Sequence, residues 1–259
     1  MKQLITIYKK EWQEIARNYS WIWVPIVFVL FAIMDPISNY YLPIILEKVD
    51  GIPEGMLLEL PEISAADAIM MGLAQFSTFG VLIVILLTMG TIAGERKSGI
   101  TELVLVKPVK LHNYVIAKWL TKLSFFIPAF IFAMLVGWYY VNILYATIPF
   151  SDWIMMIIFY SCWIIFVISL AIFFNTIVQA PGLVAGLTLL TLVAMSIFNS
   201  IFSNRLPWFP NNLSQHIGVM LHSHHIAPEL WGTALITVIL SIILLITSCY
   251  TLKQKLLFK

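Results

Sequence analysis

The stretch IMMGLAQFSTFGVLIVILLTMGTIA (Ile69–Ala93) runs for 25 residues without an Asp, Glu, Lys or Arg, then gives way at once to GERKSG (Gly94–Gly99). Crossing a hydrocarbon core of about 30 Å takes roughly 20 apolar residues in a helix, because every backbone N–H and C=O must be satisfied inside the segment. The run meets that length and lacks the ten-residue, period-two alternation of an outer-membrane strand. Working outward, the same reading places further spans at about Tyr19–Leu46, Leu123–Ala146, Trp153–Val178, Leu183–Asn204 and Leu230–Leu252, six in all. Composition agrees, with 61% hydrophobic and 11% charged residues, against roughly 45–50% and 25% in a soluble domain. The fold class is an all-α integral membrane protein with six transmembrane helices. The 259 residues hold those spans and short connections, so residues 1–259 read as a single transmembrane domain.

Charge sets the orientation, since short cytoplasmic loops retain Lys and Arg. Lys2, Lys9, Lys10 and Arg17 precede the first span, Arg96, Lys97, Lys107, Lys110, Lys118 and Lys122 follow the second, and Lys253, Lys255 and Lys259 end the chain. Only Lys48 and Arg205 fall in the alternate loops, which hold Glu47, Asp50, Glu54, Glu59, Glu62, Asp67, Asp152 and Glu229. The expectation is a multi-pass protein of the cell membrane with both termini cytoplasmic. The first twenty residues lack the apolar core and cleavage site of a signal peptide. Leu4, Ile5, Tyr8, Trp12, Ile15, Ala16 and Tyr19 recur at helical spacing there, which predicts an amphipathic interfacial helix over residues 1–18. Cys162 and Cys249 both lie in spans and form no surface disulfide framework. No repeat, low-complexity segment or nucleic-acid-binding pattern is present, and membrane lipids are the medium.

The basic segment 94–122 is the most informative connection. Gly90 and Gly94 form a small-xxx-small pair that favours close helix approach. After Glu95, Arg96, Lys97, Ser98 and Gly99 comes a short apolar run, Ile100-Thr101-Glu102-Leu103-Val104-Leu105-Val106, closed by Lys107-Pro108. It is too short to cross a bilayer and must be buried at the headgroup boundary, against the bundle's base or in a partner's groove. Pro108 stops the helix.

Glu95, Gly99, Thr101, Glu102, Leu103, Pro108 and Lys118 resemble the cytoplasmic-loop signature of type-2 ATP-binding-cassette permeases, the membrane subunits of exporters. The pattern has an acidic residue about four before a glycine, a Thr-Leu-Glu-Leu-like segment, a proline and a basic residue about ten further on. Here Ile100 stands where Thr is usual, and Thr101 follows one residue late. The resemblance covers nearly the whole chain. It implies a permease domain with an elbow helix and a coupling helix at Gly99–Val106 that docks on a separate ATP-binding subunit. Glu95 would help hold the bundle's base to that partner. The alternative is that Glu95 and Glu102 pair with Arg96, Lys97 or Lys107 on a solvated face. ATP and Mg belong to the partner: no GxxxxGK[ST] motif occurs, and Gly90–Ser98 has the wrong glycine-to-lysine spacing. No cofactor is expected in this chain, and the chain itself is not an enzyme. A second permease copy or a related permease is implied, because the family builds its pathway between two six-helix halves.

Polar groups at membrane depth are the pathway candidates. Asp35, beside Pro36, reads either as a pathway carboxylate or as a cap at a helix break near the outer interface. Thr88, Thr188, Thr191 and Asn199 are the other candidates, with Gln75, Asn175 and Gln179 as further amides. The family resemblance puts the second and fifth spans along the dimer interface and pathway, and Gly182 and Gly186 add another small-residue pair to the fifth. Residues 205–229 form an external connection with Pro207, Trp208 and Pro210, suited to an interfacial belt, and with His216, His222, His224 and His225. Those imidazoles have no cysteine or acidic ligand at fixed spacing, so no metal site is assigned and a short helix dipping into the outer leaflet is expected. Two other function classes stand beside the exporter. A sensory or assembly protein would use the same ATPase docking. An intramembrane enzyme would need paired catalytic groups at depth, and the chain has neither HExxH nor a second carboxylate within a span.

Overall fold

The computed structural model describes residues 2–48, 63–99, 110–203 and 205–257. Among them there is no strand, and six helices are long and apolar enough to cross a membrane. In chain order the elements are α1 (Lys2–Arg17), α2 (Ser20–Glu47), α3 (Ala65–Gln75), a π-helical turn (Phe76–Gly80), α4 (Val81–Thr88) and α5 (Ala93–Lys97). There follow α6 (Leu111–Leu144), α7 (Phe150–Ile177), α8 (Pro181–Phe202), α9 (Leu213–Ser223) and α10 (Pro228–Leu257), with a 3-10 turn at Pro210–Asn212. The segments α3 to α5 together make the second span. Both described chain ends lie at one end of the bundle, the basal end.

The third helix begins at Leu111, twelve residues before the expected Leu123, so residues 111–122 are helix rather than loop. Charge at Lys118 and Lys122 masked this. Both ammoniums are buried against acceptors supplied by distant parts of the chain, and so they do not end the span. The second span likewise starts earlier, at Ala65, where Ser64 and Asp67 form a capping box that satisfies the first N–H groups. Thr101, Glu102, Leu103 and Pro108 of the coupling segment lie outside the described residues, as does most of the acidic connection Glu47–Asp67.

Helix α1 turns into α2 through Tyr19, whose backbone is left-handed at φ 53°. The packed face of α1 carries Ile7, Trp12 and Ile15, and also Glu11, a charged residue the apolar periodicity passes over. Helix α10 lies along α7 and α2 along α6. Between them, Phe28, Phe76, Phe130 and Tyr160 form a chain of ring contacts with centroids 5.0–5.1 Å apart. Such pairs contribute about 0.5–1.5 kcal/mol each beyond burial.

A close helix crossing sits beside a proline. Pro36 has no N–H to offer Ala32, so that carbonyl is left free within α2. Gly72 of α3 and Gly137 of α6 approach it there. A Cβ added at Gly72 would lie 2.9 Å from the Ala32 oxygen, and one at Gly137 would lie 3.2 Å from it. Small residues let backbones meet where lipid offers no hydrophobic drive to association. Among the described residues of this chain, nothing lies within 4 Å of a Cβ built on Gly90, Gly182 or Gly186, and Gly94 meets only Pro181, at 4.0 Å.

Candidate functional site

At the basal end the second span breaks between α4 and α5, and the break is filled by one side chain. In an uninterrupted helix Ile92 N–H would donate to Thr88 C=O. Here the Asn175 amide of α7 stands between them. Its Oδ1 accepts from Ile92 N at 3.1 Å and Ala93 N at 3.0 Å, while its Nδ2 donates to Thr88 O at 3.0 Å and Ala171 O at 2.8 Å. All four hydrogen-bonding positions of a fully buried amide are used. Thr91 N turns to Thr88 O at 3.1 Å, which frees Leu87 O, and Lys122 Nζ donates to that carbonyl at 2.8 Å. A side chain inserted into the helix ladder is a recognised cause of a kink.

Below the break, α5 carries Glu95 into an ion cluster shared by three helices. Lys118 Nζ of α6 lies 2.7 Å from Glu11 Oε1 of α1 and 3.1 Å from Glu95 Oε2. Lys10 bonds Glu95 Oε1, and Tyr114 donates its hydroxyl to Glu95 Oε2 at 2.5 Å. Two carboxylates face two ammoniums, so the cluster is neutral. Side-chain exposure is 1% for Lys118, 6% for Glu11 and 11% for Glu95. Burial works against the Lys10 ammonium, but the Glu95 bond and the charges of Glu95, Glu11 and Glu14 hold its pKa above the usual lysine range. Glu95 is therefore turned into the bundle and not paired with Arg96 or Lys97 on a solvated face. Arg96 reaches the other way and donates to Thr176 O at the end of α7, at 2.8 Å. Lys255 of α10 bonds the next carbonyl, Ile177 O, so two cations satisfy the last turn of α7.

Gly99 closes the described part of this segment with φ +75°, a left-handed conformation that favours glycine, and among the described residues nothing stands within 4 Å of its Cβ position. Of the residues expected to couple to a partner, Glu95 and Lys118 are thus brought into one cluster, with Gly99 four residues beyond Glu95. Lys10, Glu11 and Tyr114 complete that cluster, while Asn175 and Arg96 tie α5 to α7. Apart from the neighbours Lys10 and Glu11 and the Asn175–Ala171 bond within α7, the partners lie 19 to 107 residues apart in sequence, which hides the pairing from any local pattern.

The pathway candidates do not gather in one place. Asp35 Oδ2 accepts from Gln75 Nε2 at 2.5 Å, linking α2 to α3 just before the π turn. Thr188 and Thr191 bond carbonyls of their own helix, Val184 and Leu187. Among the described residues Thr88 Oγ1 is buried without a partner, and Asn199 donates to Asn212 Oδ1 at 2.7 Å. None of the five lines the cleft of about 580 Å³ that opens in the far half of the bundle. That cleft lies between the second span, α7, α8 and the segment that starts α9. Its polar groups are Ser77, Thr78, Ser196, Asn211 and Ser214 on an otherwise apolar wall. The sequence signal for it was F-S-T-F-G at Phe76–Gly80. A π turn shifts the helix register and so turns Ser77 and Thr78 toward α7 and α8.

At the far end, α9 is the short helix expected in the 205–229 connection. His222 lies 3.0 Å from Asp67 and His224 2.6 Å from Asp152, tying α9 to α3 and α7.

The chain is similar to Uncharacterized transmembrane protein YxlG of Bacillus subtilis (strain 168), at 29% identity over 246 residues, 95% of each chain. It also matches the family described as ABC-2 family transporter protein from residue 5 to residue 255, from α1 to the last turns of α10 and across both the ion cluster and the cleft. A six-span bundle matched along nearly its full length places this chain in the ABC-2 family of transporter proteins.

Proposed function

We propose that this chain is the permease subunit of an ATP-driven exporter, coupled at its basal end to a separate ATP-binding subunit that carries ATP and Mg. The observation that carries the reading is the double anchorage of α5. Glu95 ties it to α1 and α6, while Asn175 and Arg96 tie it to α7. Force applied to the chain just beyond Gly99 is therefore delivered to four helices together and not absorbed by a loose connection. The Gly99–Val106 segment, with Thr101, Glu102 and Leu103 ahead of Pro108, is the docking element in this reading.

Lys118 and Glu95 act as positioning residues that hold the base on which docking occurs. The basal end, with thirteen of the fifteen Lys and Arg residues, faces the cytoplasm and both termini with it. A second permease completes the pathway, and the cleft beside Ser77 and Thr78 is the part of that pathway this chain contributes. In this reading Asp35 with Gln75, Thr188, Thr191 and Asn199 set the packing of the helices around it, while Thr88 sits at the basal break of the second span.

The test is to compare Gly99→Pro and Glu95→Lys with wild type for membrane insertion and for association with, and stimulation of, a co-expressed P-loop ATPase. Proline cannot adopt φ +75°, and a lysine at 95 would place three ammoniums in one buried cluster. Both variants are expected to insert and to lose ATPase stimulation. Normal stimulation in both would sink the assignment.

A further inference from the structure

We propose that a basal groove between α6 and α10 binds the headgroup of an anionic phospholipid. The inference rests on the orientation given above, in which the basal end meets the anionic leaflet. The groove holds about 530 Å³ and is lined by Lys110 and His112 at the start of α6 and by Ile246, Cys249, Tyr250 and Lys253 of α10. The four α10 residues recur at i, i+3, i+4 and i+7 and so form one stripe. Ile246 and Tyr250 are 63% and 60% exposed, facing the hydrocarbon, whereas Lys253 stands about 10 Å further along the axis toward water. Apolar wall, phenol and ammonium follow in the order of acyl chain, glycerol and phosphate.

The lysines here are not engaged elsewhere. Among the described residues, the side chains of Lys110, His112 and Lys253 make no hydrogen bond or ion pair, in contrast to those of Lys10, Lys118, Lys122 and Lys255. The start of α6 adds a second attraction. This 34-residue helix has no side-chain cap and no acidic residue in its first turn. Asn113 N and Tyr114 N donate to Lys110 O, which leaves the Leu111 and His112 N–H groups without an acceptor in the helix, and with the helix dipole they favour an anion. Basic pockets between spans at the cytoplasmic surface are suited to anionic headgroups on these grounds.

The experiment uses the full chain in nanodiscs of equal phosphatidylglycerol and phosphatidylcholine, with retained lipid counted by native mass spectrometry. Wild type is expected to retain phosphatidylglycerol selectively, and excess inorganic phosphate is expected not to displace it. Lys110→Gln with Lys253→Gln should weaken that retention roughly thirty-fold, as expected for two lysines at an anionic surface, and Lys110→Arg with Lys253→Arg should preserve it. Equal retention of both lipids by wild type, undiminished phosphatidylglycerol in the glutamine variant, or displacement by phosphate would each overturn the proposal. So would a glutamine variant that loses the ATPase but keeps the lipid, which would make the groove a protein contact. Lipid selectivity in a wild-type chain that associates with no ATPase would instead uphold the groove while refuting the coupling reading.

Discussion

Replacing Lys118 by methionine keeps the length of the side chain and removes the charge that joins α1, α5 and α6. Lys118 is 1% exposed and contacts both carboxylates, Glu11 at 2.7 Å and Glu95 at 3.1 Å. Without it, Lys10 still bonds Glu95, but Glu11 is left with a side chain 6% exposed and Lys10 as its nearest cation, at 3.8 Å. An exposed pair would be worth at most about 1 kcal/mol. Breaking a buried pair by removing one partner costs about 3–5 kcal/mol, because the remaining charge has lost its compensation. Burial decides for the larger figure. The assay is reversible unfolding in mixed detergent micelles, with Lys118→Met expected to lose about 3–5 kcal/mol. Adding Glu11→Gln to the same chain removes the stranded carboxylate and is expected to recover at least half of the loss. A loss below 1 kcal/mol, or a double variant in which the two costs simply add, would refute the reasoning.

Four further outcomes are expected. Asn175→Leu leaves the Ile92 and Ala93 N–H groups buried and unpaired, at about 1–3 kcal/mol each. Hydrogen exchange across 89–97 should rise in that variant, and unchanged protection would contradict the role given to the amide. Gly72→Val drives a side chain against the Ala32 oxygen, 2.9 Å from the Cβ position, and should cost about 1–3 kcal/mol. Gly90→Ala, with open space around it, should leave the melting temperature unchanged. The raised pKa of Lys10 means that its contribution to α1 docking is complete below the unfolded lysine value near pH 10.4 and is lost as pH rises through the folded one. Cysteine accessibility on α1 should therefore be flat from about pH 6 to 9, with any Lys10-dependent change only above about pH 10.

The six spans were legible because a bilayer forces each helix to satisfy its own backbone, which leaves long charge-free runs in the sequence. What the sequence hid were pairings between distant positions. Lys118 and Lys122 read as loop residues until Glu11, Glu95 and the Leu87 carbonyl are placed beside them. Asn175 is one amide among several at membrane depth, and nothing local announces that it enters a broken helix on another span. Within the chain the close backbone approach occurs at Gly72 and Gly137 beside Ala32, four residues before Pro36, glycines that have no second glycine four residues away. The pathway threonines were chosen for their hydroxyls. In the fold Thr188 and Thr191 bond carbonyls of their own helix, as Ser77 and Thr78 also do, and it is the latter pair that lines the cleft.

The central claim is that an ATP-binding subunit docks on the basal segment that α5 introduces. A photo-crosslinking residue at exposed Ser98 tests it most directly, with the same residue at exposed Ser151 on the far end as control. The account predicts an adduct between Ser98 and a P-loop ATPase in intact membranes, lost with Gly99→Pro, and none from Ser151. Adducts from Ser98 to lipid alone, or equal ATPase adducts from both positions, would contradict it.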